Sequence, residues 1–128
     1  MMLDTDIIVA VLRNDESAID SFNRYSKDEQ ILLSAITWYE LMTGCGPNSK
    51  KGQLAQIVEC LTDAGIVHVD DTIATLAARF NILLSAKGRN VGLADKLIAA
   101  SSIVGGHTLV TRNTKHFEGI PGLKVEKW

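Results

Sequence analysis

Met1-Met2-Leu3-Asp4-Thr5-Asp6-Ile7-Ile8-Val9-Ala10-Val11-Leu12 opens the chain, and its reading decides the fold. Met1, Met2 and Leu3 form an apolar run too short for a helix and read as a strand. Asp4 ends that run. Residues 5–12 are apolar at most positions and turn into a helix at once. The same handover recurs down the chain. A strand at 30–33 precedes a helix at about 36–43, and a strand at 66–69 precedes a helix running to about Ala86. Further strands are expected at 108–110 and 123–125. Strands alternating with helices predict an α/β fold with a mainly parallel central sheet of about five strands, flanked by helices.

The remaining helices are read from their caps and apolar spacing. Asn14 or Asp15 caps a helix at about 16–25, with Ile19, Phe22 and Tyr25 inward. Leu54, Ile57, Val58 and Leu61 are at helical spacing in a helix from about Lys50 to Ala64. Asp70 or Asp71 caps the helix that Lys87-Gly88 closes. A last helix spans 95–104 and ends at Gly105-Gly106. The segment 44–52 joins two helices and lacks the Gly-Lys-Ser/Thr of a phosphate-binding loop.

The chain has 128 residues, which suits one domain over 1–128 with a single core. It is 46% hydrophobic and 22% charged, an ordinary globular balance. No apolar run approaches the ~18 residues that span a bilayer. Asp4 and Asp6 stand where a signal peptide would be basic, so a cytoplasmic location is expected and no membrane is implied. Cys45 and Cys60 have neither disulfide-framework nor metal-ligand spacing; Cys60 reads as core and Cys45 as an exposed thiol. A net charge of −2 argues against a broad basic nucleic-acid face. It leaves room for a protein that holds a few phosphates through a metal and local cations.

Three carboxylates stand at element ends. Asp4 follows the first strand, Glu40 lies in Ala35-Ile36-Thr37-Trp38-Tyr39-Glu40-Leu41, and Asp95 opens an apolar helical stretch. Ligands of parallel sheets sit outside the carboxyl ends of the strands, which places Asp4 on one rim with Thr111, Arg112 and Asn113. Carboxylates gathered there repel unless a cation lies between them. An oxygen-only set favours a hard ion, Mg²⁺ or else Mn²⁺, and such an ion suits phosphodiester cleavage by activated water.

Each residue has a plainer alternative. Thr37-x-x-Glu40 fits a capping box. Asp95 can serve the helix dipole, and Asp4 can cap the helix after it. Asp6 suits a first-turn dipole partner, and Asn113 a turn residue. His68, His107 and His116 show no paired spacing.

Read together, these segments resemble a PIN-domain ribonuclease, specifically the VapC-type toxin of a type II toxin–antitoxin system. The matching stretches are Met2-Leu3-Asp4-Thr5-Asp6, then Ser34 through Leu41, Lys87 through Ala100, Thr108-Leu109-Val110-Thr111-Arg112-Asn113-Thr114-Lys115-His116-Phe117, and Ile120 to Trp128. Their order and spacing together are specific. The family's acidic positions fall on Asp4, Glu40 and Asp95. Its fourth position, often aspartate, is Asn113 here, which removes one charge and weakens the case for a second ion. Leu93-Ala94 stands where many relatives have Pro-Asn.

The resemblance implies a PIN-like α/β fold and Mg²⁺-dependent endoribonuclease activity on structured RNA, notably tRNA. It implies metal held by Asp4 and Asp95, with Glu40 as a ligand or as orienter of the attacking water. Asn113, Thr111 and Asp6 would stand behind them, and Lys96, Arg112 and Lys115 are candidate RNA contacts. It also implies a homodimer and a cognate VapB-type antitoxin, through which alone the pair meets DNA. Two other classes remain open: a haloacid-dehalogenase-like phosphatase with Asp4 as nucleophile, and an inactive PIN scaffold that serves only interactions.

Overall fold

The computed structural model describes residues 1–27, 29–44 and 52–128. Residues 45–51 of the expected loop at 44–52, Cys45 among them, and the expected helix start at Lys50 lie outside them. Five strands form one sheet: β1 (Met2–Leu3), β2 (Leu32–Ser34), β3 (Gly65–Val67), β4 (Leu109–Val110) and β5 (Val125–Glu126). Their order is β3-β2-β1-β4-β5, and every neighbouring pair is parallel. The α/β expectation of a parallel five-stranded sheet is met. Seven helices are present among the described residues: α1 (Thr5–Leu12), α2 (Glu16–Tyr25), α3 (Ala35–Thr43), α4 (Gln53–Cys60), α5 (Asp71–Ala86), α6 (Leu93–Val104) and α7 (Thr114–Phe117). None is long and apolar enough to cross a membrane.

The period of two along a strand sorts the core into two layers. Met2 and Leu109 face α5 and α6, where Ile73, Phe80, Leu84 and Ile98 are buried. Leu3 and Val110, one residue on, face the opposite side with Ile7, Ile8, Leu33, Leu41 and Ile57. Both faces of β1 are thus apolar, as a central parallel strand requires. Trp128 closes the second layer, stacked on Tyr25 with ring centroids 5.1 Å apart.

Local chemistry settles the caps. Asn14 takes a positive φ of 59°, so it is the turn residue, and Asp15 caps α2 by accepting from Ala18 N–H at 3.0 Å. Asp70, not Asp71, caps α5, accepting from Ile73 N–H at 2.9 Å. α6 begins at Leu93, two residues before the expected Asp95, and α4 is shorter than read. Val58 is exposed although its spacing matched Ile57 and Leu61. β2 begins two residues later than read, β3 begins one residue and ends two residues earlier, and β5 begins two residues and ends one residue later, because pairing with neighbouring strands sets the register. α7 carries too short a pattern to be read from sequence.

Order β3-β2-β1-β4-β5 reverses direction between β1 and β4. Such a switch point leaves a crevice at the carboxyl ends of the two strands. Asp4 follows β1 there, and Thr111 follows β4.

Candidate active site

Asp4 is held from two sides. One oxygen accepts from Thr5 N–H at 2.8 Å, which caps α1, and the other accepts from the Thr111 hydroxyl at 2.8 Å. Capping and a place at the rim are therefore both true of this residue. Asp4 is buried, and burial raises its pKa from 3.8 to about 6, with the charges of Asp6 and Asp95 adding to the rise.

Asp6 stands in the first turn of α1. Its Oδ2 lies 3.2 Å from the Thr111 hydroxyl and accepts from Arg112 N–H at 3.0 Å. Its Oδ1 is buried without a hydrogen-bond partner among the described residues. Asn113 N–H donates to the Thr111 oxygen at 3.0 Å, and the Asn113 side chain is exposed. The chain from Thr111 to Asn113 is thereby wrapped around the two aspartates.

Glu40 does not form the capping box that was its plainer alternative. α3 is capped by Ser34, whose hydroxyl accepts from Ile36 N–H at 3.2 Å, and Thr37 is fully buried inside the helix. Glu40 projects from the second turn of α3 and accepts a hydrogen bond from the Thr5 hydroxyl. Thr5 thus links Asp4 through its amide and Glu40 through its side chain. Sequence reading passed over Thr5, although its place between Asp4 and Asp6 was the available signal.

Asp95 lies in the first turn of α6, close enough for its charge to act on Asp4. Its Oδ2 is 3.5 Å from His116 Nδ1. A Cβ at Gly92 would come within 3.1 Å of that same oxygen, so the absence of a side chain there gives Asp95 its room. Neither His116 nor Gly92 was assigned to the site from sequence.

The three cations read as RNA contacts differ in circumstance. Lys96 is buried, and its Nζ donates to Asn81 at 2.6 Å on the α5 side. Arg112 forms a two-pronged pair with Asp15 at 2.8 and 2.9 Å and also reaches Ser17. That pair holds the Asp15 carboxyl well below the usual carboxylate range. Lys115 is exposed.

The donor chemistry fits a hard cation: every candidate ligand is a carboxylate oxygen, Asp4 is ringed by like charge, and Asp6 keeps an oxygen unpartnered. Among the described residues no three such side chains are already drawn together as a cage.

The family model for the PIN domain matches residues 1–123. The chain belongs to the PIN-domain family. A Shigella flexneri protein named tRNA(fMet)-specific endonuclease VapC is 30% identical over 99% of this chain and 96% of its own. Ribonuclease VapC2 of Rickettsia felis is 32% identical over the same shares. Among solved structures, VapBC2 from Rickettsia felis bound to a promoter DNA fragment superposes with a TM-score of 0.88 at 30% identity, covering 99% of this chain and 97% of that one. DNA-bound VapBC from Salmonella typhimurium also gives 0.88, at 29% identity over 99% and 96%. This PIN domain is therefore a nuclease of the VapC ribonuclease type, within a family that generally depends on a divalent metal. The phosphatase alternative falls with that match.

Proposed function

We propose that this PIN-domain protein is a Mg²⁺-dependent endoribonuclease toxin that cuts structured RNA, in the first place a tRNA. The observation that carries the proposal is Asp4, a buried carboxyl with pKa raised to about 6 at the strand switch point, with Asp6 and Asp95 adding their charge. A carboxylate kept ionised there at neutral pH calls for a cation.

Asp4 and Asp95 are assigned as ligands of the ion, with Glu40 either a ligand or the group that orients the attacking water. When bound, the ion supplies positive charge to the phosphodiester and lowers the pKa of the attacking water. Mn²⁺ is expected to substitute. Thr111 and Thr5 fix the carboxylates of Asp4 and Glu40, so little reorganisation is left for the reaction. Asp6 anchors the Arg112 backbone, and Asn113, exposed one residue on, adds no charge. The products are expected to carry a 5′-phosphate and a 3′-hydroxyl.

The tRNA preference leans on the name of the Shigella flexneri relative. A VapB-type antitoxin as inhibitor leans on the VapBC complexes among the structural neighbours, and contact with DNA is assigned to that antitoxin alone. A homodimer acting in the cytoplasm completes the reading, with the whole of 1–128 as a single PIN domain.

Purified antitoxin-free protein and its Asp95→Asn variant, incubated with a total tRNA pool in Mg²⁺, Mn²⁺ or EDTA, test the assignment. Discrete cuts bearing 5′-phosphates, lost in the variant and in EDTA, support it. Cuts of equal rate in the variant remove Asp95 as a ligand.

A further inference from the structure

Beside the carboxylates lies a cleft of about 320 Å³, of whose lining the assignment above uses only Asp95, and the sequence reading only Lys115 besides. It is lined by Arg89, Asn90 and Gly92 on the loop before α6, by Lys115 and His116 on α7, and by Asp95 at its inner end. The chain as a whole carries a net charge of −2, yet this cleft gathers one guanidinium, one ammonium and one imidazole.

Two backbone features shape it. Gly119 has a φ of 77°, and a Cβ there would meet the Arg89 guanidinium at 2.4 Å. Arg89 therefore lies directly over Gly119, whose backbone conformation favours glycine, and is steadied by Glu118 at 3.5 Å. That ion pair is exposed, so it orients Arg89 without neutralising it firmly. Gly92, on the opposite wall, leaves the passage to Asp95 open. A short loop and a short helix thus hold cationic donors on both sides of a channel that ends on a candidate metal ligand.

We propose that this cleft binds the RNA backbone: a phosphate flanking the scissile bond sits between Arg89 and Lys115, with His116 and Asn90 as further donors. Guanidinium and ammonium groups suit phosphate oxygens, and Arg89 and Lys115 stand at the cleft's outer part while the Asp95 carboxylate closes its inner end. The strand would then run from the carboxylates out between the 89–92 loop and α7. The inference rests on the ribonuclease reading and adds the direction in which the substrate leaves the site.

Binding of a labelled short single-stranded RNA in EDTA, in the Asp95→Asn background, isolates the cleft from cleavage. Adding Arg89→Gln and Lys115→Gln should weaken binding about tenfold or more and flatten the salt dependence, since each lost phosphate contact lowers the slope by about 0.7 for single strands. Lys124→Gln with Lys127→Gln removes the same charge elsewhere and should change neither. In the otherwise wild-type enzyme, the cleft pair should raise KM far more than it lowers kcat. Unchanged affinity and salt slope in the Arg89/Lys115 variant, or an equal loss in the Lys124/Lys127 variant, overturns the proposal while cleavage by the wild type stands. Absence of any metal-dependent cleavage by the wild type would instead overturn the reading beneath it.

Discussion

The Thr111 hydroxyl lies 2.8 Å from Asp4 Oδ2, across 107 residues of sequence. The contact exists because β1 and β4 are parallel neighbours with Leu3 opposite Val110, so the residue after each strand reaches the same rim. Thr111 is fully buried and touches both Asp4 and Asp6, which makes it the tie between two like charges. Thr111→Val keeps the shape and removes the hydrogen bond. Cleavage, measured as kcat/KM on tRNA, should fall about tenfold, the equivalent of one hydrogen bond to a charged group. The variant should need a higher Mg²⁺ concentration for half-maximal rate, with its circular dichroism spectrum unchanged.

Thr5 and Glu40 are coupled in the same way through the Thr5 hydroxyl. Thr5→Val should lower kcat and leave the cap on Asp4 in place, because that cap uses the Thr5 amide. Once Glu40→Gln has been made, adding Thr5→Val should have a much smaller effect than it has alone. A double-mutant cycle on cleavage rates reads this coupling, and strict additivity would show the two residues to act separately.

Asp4 has a raised pKa, so folding of the metal-free protein favours its protonated form over its ionised one. The stability this group contributes is fully present below pH 3.8 and is lost as pH rises through about 6. At neutral pH the ionised carboxylate costs the metal-free fold up to about 3 kcal/mol, the equivalent of a two-unit shift. Asp4→Asn should therefore raise Tm in EDTA at pH 7.5, less what is lost at the α1 cap. Mg²⁺ or Mn²⁺ should stabilise the wild type and leave the variant unmoved. Thermal melts at pH 5 and pH 7.5 check the sign, because the gain from the variant should shrink at the lower pH.

Asp15 has the opposite shift, lowered first by its hydrogen bonds from Arg112. Its contribution is present above the ordinary carboxylate pKa and is lost as pH falls through the depressed folded value. Asp15→Asn keeps the cap on α2 and removes the charge. The difference in Tm between wild type and variant should be widest at neutral pH and vanish under strong acid. Because Arg112 N–H also anchors Asp6, freeing the Arg112 side chain should lower cleavage as well.

Much of the site was legible because it lies next to elements with strong local signals. Asp4 and Asp95 sit where apolar runs begin or end, and the handover from β1 to α1 is written in Leu3-Asp4-Thr5. Glu40 was legible as a candidate site residue, and its plainer alternative, a cap, is the one the structure removes. Thr37-x-x-Glu40 is a good capping pattern, but Ser34 leaves the strand earlier and takes the capping position. Lys96 looked like a surface cation beside Asp95. The turn of α6 that points Asp95 to the crevice carries Lys96 towards α5 and Asn81.

The sequence by itself determined the alternation of strands and helices, and narrowed two caps to Asn14 or Asp15 and to Asp70 or Asp71, because these depend on neighbours a few residues apart. Only the tertiary structure decided that Thr111 meets Asp4, that Arg112 turns away to Asp15, and that Arg89 and His116 wall a cleft against Asp95. Those contacts cross many residues of chain and follow from strand order and helix rotation. Both are set by burying two apolar layers at once, which no local pattern encodes.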